Sequence, residues 1–247
     1  MNLLHLHGAK AGTYIKLTIL TALFLLGSVC VRAQRVLYLE NHDSKPYYFG
    51  ITLSSSSGRL NTSLHSTFLN QDTILTAEPL SSPGFALGLL ATTRLSNRFE
   101  GRFNPELMFT DRSISYNLRY ADRDLGTKVV QKVESVIVTL PLQVKFNSDR
   151  IGNFRVYLLG GGKIDYDLAS NAQARKAEDI IKLQKVDYGV EAGMGFNFYF
   201  QSFIFSPEIK ISSGLNNIHA RDEHLKYSNV IDRIQSHMIV FSIHLEG

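Results

Sequence analysis

Three features of this 247-residue chain predict its fold class. Beyond residue 46, apolar residues take every second position in eight separate runs. The links between runs alternate long and short, and aromatic residues gather at both ends of the runs. Together these predict an all-β protein, an eight-stranded antiparallel transmembrane up-and-down β-barrel over residues 47–247. A hydrophobic content of 44% is enough to bury a core, which excludes wholesale disorder. A mean hydropathy of −0.04 excludes a bundle of transmembrane helices. A single Cys excludes a disulfide framework and a multi-Cys metal site.

The chain opens with an export signal, residues 1–33. Lys10 and Lys16 precede the apolar run Leu17–Leu26, and Val31-Arg32-Ala33 supplies an A-x-A-like cleavage site. The run is short for a spanning helix, which needs ~20 apolar residues. Cleavage after Ala33 removes Cys30, and a cysteine-free chain suits an oxidising compartment. The formal charge of +4 largely leaves with this segment, which holds Lys10, Lys16 and Arg32 and no acid. What remains is 23 basic against 22 acidic residues, which gives no support for nucleic-acid binding. Residues 34–46 are polar and read as a short periplasmic tail or a cap on the barrel.

The eight runs follow in order. The first aligns Tyr47, Phe49, Ile51 and Leu53, and the second Phe85, Leu87, Leu89, Ala91 and Leu95. The third aligns Phe99, Gly101, Phe103, Pro105, Leu107 and Phe109, and the fourth Val136 through Phe146 on even positions. The fifth aligns Phe154, Val156, Leu158 and Ile164, and the sixth Val186, Tyr188, Val190, Met194, Phe196 and Phe198. The seventh aligns Phe203, Phe205, Ile209 and Ile211, and the eighth Ile239, Phe241, Ile243 and Leu245. Each is a strand with one apolar face.

The opposite parity carries charge and glycine: Glu100, Arg102 and Glu106 in the third run, Lys145 in the fourth, Arg155 in the fifth, Glu191 in the sixth, Glu208 and Lys210 in the seventh. Alternation alone fits two solutions. A soluble barrel turns the apolar face inward, and a membrane barrel turns it toward lipid. Long links after the odd-numbered runs and tight turns after the even-numbered ones favour the membrane barrel, with both chain ends on the periplasmic, short-turn side. Aromatic sorting agrees. Phe99, Phe146, Phe154, Phe198 and Phe203 crowd the short turns, while Tyr116, Tyr120, Tyr166, Tyr188 and Tyr227 sit toward the long links. An eight-stranded lumen holds side chains and little else. The eight charged residues named above then form a lumenal ion-pair network with balanced charge and no wide pore.

Other motifs are weaker. Gly160-Gly161-Gly162-Lys163 invites a phosphate-loop reading, but Ile164 stands where Ser or Thr belongs and no helix follows. His219 and His224 share the last long link with Arg221, Asp222 and Glu223, which reads as a solvated loop rather than a metal site. Asp165, Asp167 and Ser170 approach the barrel rim, but no triad can be picked from them. The link Ser57–Ser82 is rich in Ser, Thr and Asn and reads as a surface loop. No catalytic residue, cofactor, metal or small-molecule substrate is expected.

Four segments resemble one family. These are Asp43-Ser-Lys-Pro-Tyr-Tyr-Phe-Gly50, Pro83-Gly-Phe-Ala-Leu-Gly88, Tyr157-Leu-Leu-Gly-Gly-Gly-Lys-Ile-Asp-Tyr-Asp-Leu-Ala-Ser170 and Pro207-Glu-Ile-Lys-Ile-Ser-Ser-Gly-Leu215. They are similar to motifs of the PorT (SprT-like) outer-membrane proteins of Bacteroidetes-type bacteria, over about Asp43–Glu246. The resemblance implies a non-enzymatic outer-membrane barrel needed for type IX protein secretion, and for gliding motility where it occurs. Its expected partners are outer-membrane lipid and secretion components. The chain departs from other outer-membrane barrels in ending His244-Leu-Glu-Gly247 rather than on an aromatic residue. The alternative is a generic structural or adhesive barrel of the OmpA/OmpX kind.

Overall fold

The computed structural model describes residues 36–66, 68, 74–122, 126–169, 183–220 and 231–247. The expected signal segment 1–33 lies outside the described residues, as do Ser170, Arg221, Asp222, Glu223, His224 and Tyr227. Among the described residues of the unit Tyr38–Gly247 a 3-10 turn, Glu40–Ser44, precedes ten strand segments. They are β1 (Tyr47–Leu64), β2 (Ile74–Leu80), β3 (Ser82–Arg94), β4 (Phe99–Phe103), β5 (Glu106–Asp122), β6 (Gly126–Asn147), β7 (Phe154–Asp167), β8 (Val186–Tyr199), β9 (Ile204–Gly214) and β10 (Ile231–Glu246).

Two pairs of segments each make one barrel strand. β2 and β3 are parted at Ser81, and β4 and β5 at Asn104-Pro105. Pro105 has no N–H for a ladder, so the predicted third run is interrupted there, although its parity carries through. The result is a ring of eight antiparallel strands. It closes where β10 pairs with β1, from Gly50↔Glu246 to Leu64↔Ile231. Gly247 N donates to Phe49 O at 3.0 Å, so the chain end lies beside the first strand at the short-turn end.

The side chains divide as the alternation predicts over the lower part of every strand. Phe49, Ile51 and Leu53 point outward and are exposed, as are Phe85, Leu87, Leu89, Leu142, Val144, Ile209 and Phe241. Thr52, Glu106, Gln143, Glu191, Glu208 and Ser242 point inward and are buried. On β6 the outward apolar band runs from Val136 to Phe146. At ~3.3 Å per residue and a tilt of ~40°, it stands about 25 Å tall, the thickness of a barrel's lipid-facing belt.

Above that band the strands continue, and the apolar face changes sides. Val129 and Val133 of β6 point inward, with Lys128, Lys132 and Glu134 outward. Leu60, Ile74, Ile114, Tyr116, Leu118, Ile231 and Ile234 join them in one buried cluster. This corrects three expectations. The link Ser57–Ser82 is largely strand, because β1 reaches Leu64 and β2 begins at Ile74. The link after the third run is short, because β5 reaches Asp122 and β6 starts at Gly126, so long and short links do not alternate strictly. Tyr116 is fully buried in the cluster rather than part of an outer aromatic belt. A ladder ends here too. Among the described residues β1 pairs with β3 from Tyr47 to Gly58, while β2 pairs with β5 alone. Arg59–Leu64 and Ile74–Leu80 therefore face a split in the wall.

Candidate functional site: the barrel interior

The lumen at the short-turn end is filled with charged side chains from strands all round the ring. Arg102 on β4 is wholly buried and donates from Nη1 to Glu208 at 2.7 Å and from Nη2 to Glu246 at 3.1 Å. Lys145 Nζ lies 3.7 Å from Glu100 and 4.0 Å from Glu246, beyond hydrogen-bond reach. It sits 4.1 Å above the centre of the Tyr157 ring, close enough for a cation–π attraction. The hydroxyls of Tyr157 and Tyr48 donate to Glu208 at 2.8 Å and to Glu100 at 2.9 Å. Gly195 makes room for Tyr157: a Cβ there would stand 2.4 Å from the ring.

One layer higher, Lys210 donates to Glu106 at 3.1 Å and lies 3.6 Å from Glu191. Gln143 donates to Glu191 at 2.7 Å, and Asn104 to Glu106 at 2.6 Å. His244 bridges the layers, with Nε2 3.3 Å from Glu208 and Nδ1 2.8 Å from Thr52 Oγ1. Desolvated charges held this way lose little free energy only while every partner remains. Above them, Ala86, Met108, Ile137, Met238 and Val240 close one side of the lumen. On the other side Lys163 meets Asp165 at 2.5 Å, Arg112 lies 3.6 Å from Asp167, and Ser236 donates to Asp187 at 2.5 Å.

Of the charged set read from sequence, Glu100, Arg102, Glu106, Lys145, Glu191, Glu208 and Lys210 converge in these two layers. Arg155 does not; it stands at the mouth, 3.0 Å from Asp43. Sequence reasoning missed His244 and Glu246, although the parity of the eighth run places both inward. It missed Tyr48 and Tyr157 because their apolar rings hide which way the hydroxyl is used. Gly160-Gly161-Gly162-Lys163 lies within β7, in strand rather than in a loop. A Cβ on Gly161 would stand 2.1 Å from Leu142 O, so this glycine serves close strand approach.

The tail closes the short-turn mouth. Asp43 receives Arg150 at 3.3 Å and Arg155 at 3.0 Å. Tyr38 N donates to Asn153 Oδ1 at 2.9 Å, and Arg150 donates to Tyr38 O. The guanidinium of Arg150 lies 3.7 Å from the centre of the Tyr199 ring. His42 is buried between Tyr48 and Tyr199, at 4.6 and 6.4 Å between ring centres. Burial holds its pKa below 6.5, with Lys45 and Arg94 acting the same way and Glu246 and Asp43 opposing. Leu39 opens this turn with a φ of 52°, a left-handed conformation that the tail's contacts must hold in place.

Among the described residues no three His, Cys, Asp or Glu are placed to hold a metal ion. No helix among them is long and apolar enough to cross a membrane, which says nothing of crossing by strands.

No curated protein sequence matches the chain. Several solved barrels resemble it in shape. Neisserial surface protein A shares 10% identity at a TM-score of 0.39, covering 79% of this chain and 95% of its own. OprG from Pseudomonas aeruginosa shares 15% at 0.45, covering 81% and 93%. The attachment invasion locus protein Ail of Yersinia pestis shares 10% at 0.37, covering 82% and 100%. In sequence, residues 43–220 match the family described as "Outer membrane protein beta-barrel domain". The match spans most of the barrel, so the chain belongs to the outer membrane protein β-barrel domain family and is an integral outer-membrane protein.

Proposed function

We propose that this barrel is a non-enzymatic accessory of type IX protein secretion, acting through protein–protein contact rather than by conducting a solute. The observation that carries the contact reading is the filled lumen. Arg102, Lys145 and Lys210 meet Glu100, Glu106, Glu191, Glu208 and Glu246 across the axis. In this reading they form a stabilising plug, and Asp43 with His42 seals its lower mouth. The motifs shared with PorT-like proteins support the secretion role. Residues 1–33 are the export signal, 34–46 the periplasmic tail and 47–247 the barrel, with both ends in the periplasm. Deleting the gene then blocks release of cargo bearing C-terminal sorting domains, and normal release in the deletant overturns the reading.

A second reading, a structural or adhesive barrel, draws on the polar outer surface that β5 and β6 raise above the lipid-facing belt. It predicts that exchanging residues 113–133 abolishes surface adhesion and leaves secretion intact.

A further inference from the structure

We propose that the split between β1 and β2 is a docking site for one extended peptide strand of a partner protein, one that carries an acidic side chain. The split is bounded by Arg59–Leu64 on one side and Ile74–Leu80 on the other. Among the described residues each segment is laddered on its far edge only, to β10 and to β5. Among the described residues, the backbone groups on these facing edges make no ladder to one another, and Pro79 alone on them lacks an N–H. Such edges are templates for another strand. Six residues of β1 span about 20 Å, the length of an ordinary strand.

A cavity of about 730 Å³ runs along this stretch of β1, reaching Ala77 and Pro79 of β2 on one side and residues of β9 and β10 on the other. Its lining includes Leu60 and Ala77, which belong to the interior set, and Arg59 and His237, which belong to the exterior set. The cavity thus touches both faces of the wall. Leu64, Leu75 and Leu80 stand exposed along the two edges, above the lipid-facing belt, where water is the alternative neighbour. A lipid chain would cover the leucines but could not satisfy the backbone groups. Charge narrows the occupant further. The Arg59 guanidinium lines the cavity and no carboxylate does; Glu78 on β2 is exposed but outside the lining. Backbone pairing supplies affinity in this mode, and side chains at alternate positions supply selection.

The inference rests on the contact reading only for the existence of a partner. Its test uses purified full-length chain in lipid nanodiscs and involves no secretion, so the two can fail separately. The probe is a fluorescein-labelled peptide of about eight alternating Thr and Val residues with one central Glu. Bound peptide slows amide exchange at Arg59–Leu64 and Leu75–Glu78 by about tenfold. Alternate N-methylation removes about three backbone hydrogen bonds and weakens binding by about tenfold or more. Arg59→Glu moves the preference to a peptide with central Lys. Equal binding of the N-methylated peptide overturns the proposal, as does protection confined to other strands. Protection at these amides before peptide is added shows the edges already paired and also overturns it. Dimer formation that protects them in peptide-free protein assigns the split to a second copy instead.

Discussion

Arg102→Met tests how the lumen is held. The substitution keeps most of the side chain's length and removes its charge. Glu208 and Glu246 then lose donors at 2.7 and 3.1 Å, and neither carboxylate can reach water, because both side chains are essentially fully buried. Removing one partner of such a group costs about 3–5 kcal/mol. With a urea slope of ~2 kcal/mol per molar, the unfolding midpoint falls by about 1.5–2.5 M. The chain has no Trp, so unfolding in lipid vesicles is followed by gel mobility and far-UV circular dichroism rather than indole fluorescence. The matched control is Arg102→Met with Glu208→Gln and Glu246→Gln, which removes the stranded charges together with the cation. It recovers about 2 kcal/mol or more of the loss. A single variant within about 0.5 kcal/mol of the parent refutes the reasoning. So does a triple variant less stable than the single one.

Other outcomes follow from the same geometry. Leu142→Arg puts a charge halfway up the outward band and costs about 2–4 kcal/mol by the same unfolding assay, while Glu134→Arg above the band changes stability by about 0.5 kcal/mol or less. Gly161→Ala forces a Cβ to 2.1 Å from Leu142 O and lowers stability by about 1–3 kcal/mol, read as a drop in the urea midpoint. The tail is pH-sensitive through His42, whose docked pKa lies below the 6.5 of the released form. Between those two values the released form binds more protons, so docking is intact above 6.5 and weakens as pH falls below it. Exchange of the His42 and Lys45 amides, corrected for intrinsic rate, therefore speeds on going from about pH 7.5 to 5.5, and His42→Phe abolishes the change. A parent whose corrected exchange is flat over that range contradicts the assignment.

The lower half of the barrel was legible because one solvent acts on each face throughout. Leu142 and Val144 meet lipid while Gln143 and Lys145 meet other side chains, so period two reads directly as inside and outside. The upper half was not legible, because the outer solvent changes. Once β6 leaves the apolar belt, Lys132 and Glu134 face water and Val129 and Val133 become the buried set. The sequence then reads as a run that stops, followed by a polar loop. In fact it is one strand whose pattern has inverted. Parity carried across Ser135 would have extended the strands. Arg155 shows the other limit: its parity is inward, but its height puts it at the mouth, where Asp43 of the tail takes it. Tertiary pairing between a tail and a turn leaves no periodic trace.

The inversion along β6 has a consequence for how firmly neighbouring strands are held in phase. Sliding β6 by one residue against β7 would turn Leu142 toward Lys210 and, in the same movement, drive Lys132 into the space of Val133. A membrane barrel with one pattern along its length resists such slippage through lipid alone, whereas this one is penalised by hydrocarbon below and by water above. Alignment is thus checked twice by independent media, and a mispaired intermediate would find neither environment forgiving.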